Sequence, residues 1–127
     1  MQQNKYRVLA VDDVKDTQDL LRDGLPMAAS VRVDVAKSGT EALEWALKFR
    51  YDAIILDLAM PDLTGYQVAE KIRETNTRVP IIFFTGNVDT MTSARTTMIG
   101  NADVVTKPCG MDALWRRVLK MIKTPAP

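Results

Sequence analysis

The sequence contains no histidine among its 127 residues. Acid–base catalysis by histidine and Ser-His-Asp triads are therefore excluded. Most zinc sites are excluded as well, because histidine is one of their main ligands. The chain also carries no phosphohistidine of its own.

Cysteine, excess charge and long apolar runs are scarce too. Cys109 is the single cysteine, which rules out an internal disulfide and favours a reducing, cytoplasmic location. The net charge is only +1, whereas proteins that bind nucleic acid through phosphate contacts usually carry a basic excess, so we expect no direct nucleic-acid binding. The polar start MQQNKYR lacks the apolar core of a secretion signal, and no run is long enough to span a bilayer, so no membrane association is expected.

The length and composition favour one globular domain. A chain with 46% hydrophobic and 26% charged residues is ordinary in composition and long enough to bury a core. We predict a single domain over residues 1–127 with a core of about 6–123. The last four residues, TPAP at 124–127, are expected to be a tail or the start of a linker.

Five short apolar runs predict β-strands. Four are nearly continuous in Val, Ile or Phe, which is typical of parallel strands covered on both faces. The run VRVDVA instead alternates apolar and polar residues, so it is the best candidate for an edge strand. The runs are Tyr6–Val11, Val31–Ala36, Ala53–Leu56, Pro80–Thr85 and Asp103–Thr106.

Four of the connecting segments carry apolar residues near helical spacing, which predicts helices with one buried face each. Pro26 is expected to end the first helix or to distort its last turn. The last helix has a basic side, expected to be solvated, that consists of Arg116, Arg117, Lys120 and Lys123. The apolar sets are Leu20, Leu21 and Leu25; Ala42, Leu43, Ala46, Leu47 and Phe49; Val68, Ala69 and Ile72; and Leu114, Val118 and Ile122 with Met121.

The remaining connection, residues 87–100, predicts a weaker helix. Its apolar residues fit helical spacing, but its many Ser and Thr residues are modest helix formers, so we expect it to be the most mobile helix. The apolar positions are Val88, Met91, Ala94 and Met98, and the two methionines are expected to fill core space.

The alternation of strands and helices predicts an α/β fold with a doubly wound, five-stranded parallel sheet and helices on both faces. Right-handed crossovers limit the possible topologies. With the first strand central and the second at an edge, the flavodoxin-like order 2-1-3-4-5 is favoured.

Polar side chains lie at the ends of four predicted strands. Asp12 and Asp13 follow the first strand, Asp57 follows the third, Thr85 ends the fourth and Lys107 follows the fifth. A single aspartate after a strand is usually a turn former. In an open α/β sheet, however, ligands bind beyond the carboxyl ends of the strands, where the strand order reverses. The sequence therefore predicts that three carboxylates, a hydroxyl and an ammonium converge.

Three adjacent carboxylates repel one another and favour a bound cation. A loose set of oxygen ligands suits Mg²⁺, which commonly binds together with a substrate phosphate. Aspartate is a covalent acceptor of phosphoryl groups, and Mg²⁺ and Lys107 supply the positive charge that the transferred group needs. The site therefore predicts phosphoryl chemistry, with Thr85 as a hydrogen-bond donor to a phosphoryl oxygen.

With these motifs the sequence resembles the response-regulator receiver domain, the phosphoacceptor module of two-component signalling. The resemblance covers about Tyr6 to Lys123 and rests on VDD, DLAMPDLTG, FTG and TKP, at 11–13, 57–65, 84–86 and 106–108. It implies that a phosphohistidine on a sensor histidine kinase or on a histidine phosphotransfer protein donates the phosphoryl group. The domain would catalyse only its own phosphorylation and dephosphorylation, and would switch the binding of a downstream protein.

The resemblance also implies roles for individual residues. Asp57 corresponds to the phosphoacceptor, Thr85 to the switch hydroxyl and Lys107 to the phosphoryl-binding lysine, whose bond to the following proline is typically cis. The implied Mg²⁺ ligands are the side chains of Asp12, Asp13 and Asp57 and the backbone carbonyl of Ala59.

Two positions depart from the family pattern. Val104 stands where the family usually has a Tyr or Phe that rotates during switching, which puts the usual signalling relay in doubt. Cys109 stands where a large apolar residue often follows Lys-Pro, and we expect it to be a small buried hydrophobe.

Three alternatives are weighed against this interpretation. A Mg²⁺-dependent phosphohydrolase needs an acid two residues after its nucleophile, where this chain has Ala59. A flavin-binding module of the same topology needs a loop that cradles phosphate after the first strand, whereas DDVKDT is acidic. A degenerate receiver that acts as a phosphorylation-independent interaction domain is disfavoured by the intact acidic set, although Val104 is compatible with it. The sequence is expected to be either a stand-alone protein or a fragment of a longer regulator.

Overall fold

Strands and helices alternate along the whole of the computed structural model, which describes residues 4–28 and 30–124. The predicted α/β alternation is confirmed, with small shifts at the starts of the fourth and fifth strands. The predicted tail lies outside the described residues from position 125 onward. The elements are β1 (Tyr6–Val11), α1 (Lys15–Ala28), β2 (Val31–Ala36), α2 (Gly39–Lys48), β3 (Ala53–Leu56), α3 (Gly65–Arg73), β4 (Ile81–Thr85), α4 (Thr92–Ile99), β5 (Ala102–Thr106) and α5 (Met111–Lys123).

The described strands form one parallel sheet in the order β2-β1-β3-β4-β5, as predicted. β2 lies at an edge and β1 is paired on both sides, with Val11 beside Ala36 of β2 and Leu56 of β3. The strand order reverses between β1 and β3. The residues that follow these two strands therefore share the crevice in which ligands bind in such sheets.

Each face of the sheet is covered by its own hydrophobic cluster, because successive side chains of a strand point to opposite faces. On one face, Leu9 and Phe83 pack with α2 and α3 through Ala42, Val68 and Ile72. The other face packs against α1 and α5 through the buried residues Val8, Ile55, Leu21, Leu25, Leu114 and Val118. Burial on both sides explains why most of the strands read as continuous apolar runs.

The first two helices differ in detail from the prediction. Helix α1 continues two residues beyond Pro26 and ends at Ala28, since a proline in the last turn removes only one late backbone hydrogen bond. Leu20 and Leu47 are 49% and 61% exposed, so each lies outside the buried face to which the spacing assigned it. Phe49 caps the end of α2 and is also partly exposed.

Helix α4 exists but buries a different face from the predicted one. Met91 and Met98 are 61% and 86% exposed and do not fill the core, whereas Thr92 and Thr96 are buried. The hydroxyl of Thr96 donates to the carbonyl of Thr92 at 2.7 Å, so this polar side chain is buried with its hydrogen bond made. Val88 and Ala94, the other two apolar positions of the prediction, are exposed as well.

Helix α5 agrees with its prediction, with Leu114 and Val118 buried and the four basic residues exposed. Cys109, expected to be buried, is half-buried beside the α1–α5 side of the core. Among the described helices, none combines the length and apolar character that crossing a membrane requires.

Candidate functional site

Three carboxylates meet at the switch in strand order, as the sequence predicts. Asp12 and Asp13 follow β1, and Asp57 follows the neighbouring β3. One oxygen from each of the three lies within 4.8 Å of the others. Asp12 and Asp57 are buried and Asp13 is exposed, so solvent reaches the cluster at Asp13.

Asp12 is held in place from several directions. One carboxylate oxygen accepts a hydrogen bond from the backbone N–H of Val14 at 2.9 Å. The buried side chain of Gln18 donates to the backbone carbonyl of Asp12 at 2.7 Å. Sequence reasoning missed Gln18, although it occupies the same helical face as Leu21 and Leu25. A polar residue on that apolar stripe was the available signal.

Asp57 carries the main electrostatic strain of the site. It is 7% exposed, its N–H donates to the carbonyl of Val11 at 3.0 Å, and its carboxylate accepts weakly from the N–H of Ala59 at 3.5 Å. Burial, and then the negative charge of Asp12, raise the pKa of Asp57, and the nearby ammonium of Lys107 opposes this shift only in part. The carboxylate is therefore poised to gain from added positive charge.

Two further predicted site residues follow from the neighbouring strands. Thr85 is the last residue of β4, and Lys107 comes directly after β5. The backbone N–H of Lys107 donates to the carbonyl of Thr85 at 2.8 Å, which brings the two residues side by side. The Lys107 ammonium lies 2.6 Å from Asp12 and 3.8 Å from Asp57, and its bond to Pro108 is cis. Thr85 is 2% exposed, and its hydroxyl oxygen accepts from the N–H of Asn87 at 3.2 Å.

The loop from β3 to α3 lies close against the end of β3. A Cβ atom added at Gly65 would lie 2.2 Å from the carbonyl oxygen of Asp57, so only glycine fits there without a shift. The next turn is fixed by a capping box, in which Thr64 accepts from the N–H of Gln67 and the Gln67 side chain accepts from the N–H of Thr64. The backbone of Ala59 therefore lies in a loop with constrained ends.

Val104 of β5 and Ile99, at the end of α4, pack on the same face of the sheet. Val104 is half-buried against the cluster on the α2–α3 face. The C-terminal end of α4 is anchored by Arg73 of α3, whose guanidinium donates to the carbonyls of Ile99, Gly100 and Asn101 at 3.3, 2.8 and 3.2 Å. Gly100 adopts a φ of +78°, which glycine accepts readily and which ends the helix.

The donor chemistry of the site fits a hard divalent cation. Its side-chain ligands are oxygens only. The ammonium of Lys107 pairs with two of the three carboxylates, those of Asp12 and Asp57, which leaves an excess of negative charge. Burial, and then the negative charge of Asp12, raise the pKa of Asp57, so an added cation would favour its charged form. Mg²⁺ prefers oxygen ligands and is often held by one or two carboxylates, so the residues present fit it.

Comparison with known families matches residues 8–119 to the response regulator receiver domain. One curated relative is an uncharacterized transcriptional regulatory protein, YrkP, of Bacillus subtilis, 34% identical over 93% of this chain and 50% of its own length. The chain spans about half the length of the curated relatives that lead the comparison.

Solved structures give the same result. The receiver domain of the sensor histidine kinase PA1611 from Pseudomonas aeruginosa, with a magnesium ion coordinated in the active-site cleft, is 30% identical with a TM-score of 0.84, over 94% of this chain and 98% of that one. The response regulator TrrA from Thermotoga maritima, in complex with Mg²⁺-BeF, is 31% identical with a TM-score of 0.81, over 91% and 98%.

Proposed function

The chain belongs to the response regulator receiver domain family of two-component signalling, and from this premise we propose that Asp57 accepts a phosphoryl group from a phosphohistidine on a partner protein. The observation that carries the proposal is the position of Asp57. Its buried carboxylate lies at the strand-order switch, between two other acids and the ammonium of Lys107. Residues 1–127 contain no histidine, so the donor lies outside this sequence.

The transfer breaks one bond and forms another. A carboxylate oxygen of Asp57 forms the new O–P bond while the N–P bond of the phosphohistidine breaks, and the imidazole leaves with the electron pair and takes a proton from solvent. The ammonium of Lys107 offsets charge on the phosphoryl oxygens. The hydroxyl of Thr85, whose backbone carbonyl accepts from the N–H of Lys107, donates a hydrogen bond to one of those oxygens.

Asp12, Asp13, Asp57 and the carbonyl of Ala59 are the groups that would hold Mg²⁺. When bound, the ion supplies positive charge next to the anionic phosphoryl oxygens. Asp12 keeps its ligand geometry through the bonds from Val14 and Gln18. The preformed position of these groups supports a transfer that the domain itself catalyses, limited to its own phosphorylation and dephosphorylation.

A turnover phosphohydrolase receives less support. Ala59, two residues after Asp57, offers no acid to protonate a leaving group. A degenerate receiver that works without phosphorylation is also less supported, because the three acids lie together and Lys107 pairs with one of them.

The proposed partners are a sensor histidine kinase or a histidine phosphotransfer protein upstream and a protein target downstream, with no membrane or nucleic acid bound by this domain. The single cysteine is in keeping with a cytoplasmic location. We further propose that residues 1–127 are one domain, because the elements from Tyr6 to Lys123 build a single sheet with helices on both faces.

The test uses a small phosphodonor, such as phosphoramidate, and intact-protein mass spectrometry. With Mg²⁺, the parent should gain one phosphoryl group, and Asp57→Asn should gain none. Asp52→Asn is the matched control, because Asp52 lies at the opposite end of the sheet, where its carboxylate accepts from the N–H of Arg7 at 2.8 Å. The proposal is wrong if Asp57→Asn is phosphorylated at the parent's rate or if a chelator leaves the rate unchanged.

A further inference from the structure

Asp62 joins the loop after β3 to the start of α2. One of its carboxylate oxygens accepts from the N–H of Gly39 at 3.1 Å. The other accepts from the N–H and the hydroxyl of Thr40 at 2.8 and 2.5 Å. Gly39 and Thr40 are the first two residues of α2, so a carboxylate from a distant loop binds the N–H groups at this helix end.

Helix α2 already has a cap of its own. The side chain of Ser38 accepts from the N–H of Glu41 at 3.2 Å. The bonds to Asp62 therefore add an attachment of the loop to the helix. The hydroxyl and N–H groups of Thr40 hold the pKa of Asp62 below its usual range, so the carboxylate is charged at neutral pH.

Backbone packing reinforces the attachment. A Cβ atom added at Gly39 would lie 2.7 Å from the Cβ of Leu63 and 3.1 Å from the Leu63 carbonyl oxygen. The loop therefore lies directly on the first turn of α2. Asp62 is hydrogen-bonded to the first turn of α2, and Leu63 packs against Gly39 of the same turn.

The attachment point matters because of what lies between it and Asp57. The loop leaves β3 at Asp57, whose N–H donates to the carbonyl of Val11 at 3.0 Å. Its other end is tied to its beginning, because the N–H of Gly65, the first residue of α3, donates to the carbonyl of Leu58 at 3.1 Å. Asp62 is a third fixed point, on the far side of Ala59. The carbonyl of Ala59 is the one proposed Mg²⁺ ligand that no side-chain geometry of its own controls.

We propose that Asp62 is a positioning residue for the Mg²⁺ site: by fixing the loop to α2 it sets the position of the Ala59 carbonyl. The inference rests on the proposed function and adds a residue to it. Asp62 contacts neither the metal nor the phosphoryl group. Its loss should therefore weaken Mg²⁺ binding more than it slows transfer once the site is saturated with Mg²⁺.

The experiment is a calorimetric Mg²⁺ titration of the full chain and of Asp62→Ala. We expect Asp62→Ala to bind Mg²⁺ roughly three- to tenfold more weakly. This loss is at or below the smallest loss of affinity that is typical when a residue supporting a metal ligand is removed, because Asp62 is exposed. Two control variants should stay within about twofold of the parent. Ser38→Ala weakens the same helix end without touching the loop, and Asp16→Asn removes one exposed negative charge from the first turn of α1.

A second measurement does not depend on activity. In chelator, the amide NMR signals of residues 58–60 should shift in Asp62→Ala but not in Ser38→Ala. The phosphorylation rate at saturating Mg²⁺ should stay near the parent's. If Asp62→Ala does not fold, Asp62→Asn serves instead, since it keeps the side-chain size and one acceptor and should weaken Mg²⁺ binding in the same direction.

Four results would overturn the proposal. Unchanged Mg²⁺ affinity in the Asp62 variant would show that the loop does not need this attachment. Equal weakening in Ser38→Ala would reduce the role of Asp62 to helix capping, and equal weakening in Asp16→Asn would reduce it to charge. If the unmodified protein neither binds Mg²⁺ nor takes a phosphoryl group, the proposed function is wrong as well. If it does both, a negative result in the variants counts only against the role of Asp62.

Discussion

The ammonium of Lys107 donates to the carboxylate of Asp12 at 2.6 Å and lies farther, 3.8 Å, from that of Asp57. Asp12 is 1% exposed, so this ion pair is the main local compensation for a buried charge. Lys107 therefore has a structural partner before any phosphoryl group arrives, and the less compensated acid is Asp57. The first two predictions follow from this difference between Asp12 and Asp57.

Lys107→Met should destabilise the protein more in chelator than with Mg²⁺. Removing the ammonium leaves the buried carboxylate of Asp12 without its cation, and we expect a loss of about 2 kcal/mol in the free energy of unfolding. Bound Mg²⁺ offsets the same charge and should recover part of the loss. Urea unfolding with and without Mg²⁺ measures both values. Lys15→Met is the control, since Lys15 is 81% exposed and pairs with Asp19 at the surface. Equal losses in the two media would contradict this prediction.

Asp57→Asn should gain stability relative to the parent as the pH rises from about 4 to about 7 in chelator. The pKa of Asp57 is raised in the folded protein by burial and by Asp12. Such a carboxyl group contributes stability below its unfolded pKa and loses that contribution as the pH rises through its folded pKa. At neutral pH we expect the variant to be more stable by about 1 kcal/mol.

Asp89→Asn gives a control of opposite sign for this measurement. Hydrogen bonds from the N–H of Met91 and from Thr92 lower the pKa of Asp89, so its contribution is present at neutral pH and is lost on acidification. The Asp89 variant should therefore be the less stable one at neutral pH. A stability difference between Asp57→Asn and the parent that is constant with pH would refute the assignment of strain to Asp57.

Gly65→Ala should destabilise the protein by about 2 kcal/mol or more, because the new Cβ meets the Asp57 carbonyl oxygen at 2.2 Å, and neither backbone segment is free to move. Gly86→Ala is the matched control. A Cβ there meets nothing within 4 Å, so its effect should stay below about 0.5 kcal/mol. Chemical denaturation of both variants measures this difference, and similar values for the two would show that the loop after β3 is not tightly packed.

A phosphoryl mimic should move the N-terminal half of α4 more than β5. Val104 has a short, stiff side chain and cannot sweep through the arc of an aromatic residue. Arg73 anchors the other end of α4 through the carbonyls of Ile99, Gly100 and Asn101. Backbone amide NMR with a stable mimic should show large changes over residues 86–96, fading toward 99–101, and little change at 103–106.

The NMR prediction has two informative variants. Val104→Tyr should spread the changes into β5, because a large aromatic side chain on β5 can change its position where valine cannot. Arg73→Ala should spread them to the end of α4. Changes of equal size along β5 in the parent, or an unaltered α4, would contradict the prediction.

The sequence was sufficient for the strand order and for the convergence of the acids. Both features are visible locally in the sequence, as continuous apolar runs and as acidic residues at the strand ends. The rules for connections between parallel strands then leave few possible strand orders. The face of α4 could not be predicted by counting apolar residues. Thr96 is buried with its hydroxyl bonded to Thr92 of the same helix, so burial costs little, and Met98 is left in solvent.

Contacts between segments that are distant in the chain could not be predicted from the sequence either. Nothing in the spacing indicates that Asp62 bonds to Gly39 and Thr40, about one strand and one helix earlier in the chain. The choice of Asp12 over Asp57 as the closer partner of Lys107 depends on side-chain geometry at the sheet end. Gln18 was predictable in part, as a polar residue on an otherwise apolar helical stripe.

The two edges of the sheet differ in when they are synthesised. β2, at one edge, is made early, whereas β5, at the other edge, comes last, and Lys107 follows its partner Asp12 by 95 positions. A nascent chain that has emerged only as far as β4 therefore carries all three carboxylates without the ammonium that offsets them. Docking of β5 relieves this repulsion and in the same step completes the site. On the proposed function, a chain that has emerged only as far as β4 should therefore be unable to take up a phosphoryl group.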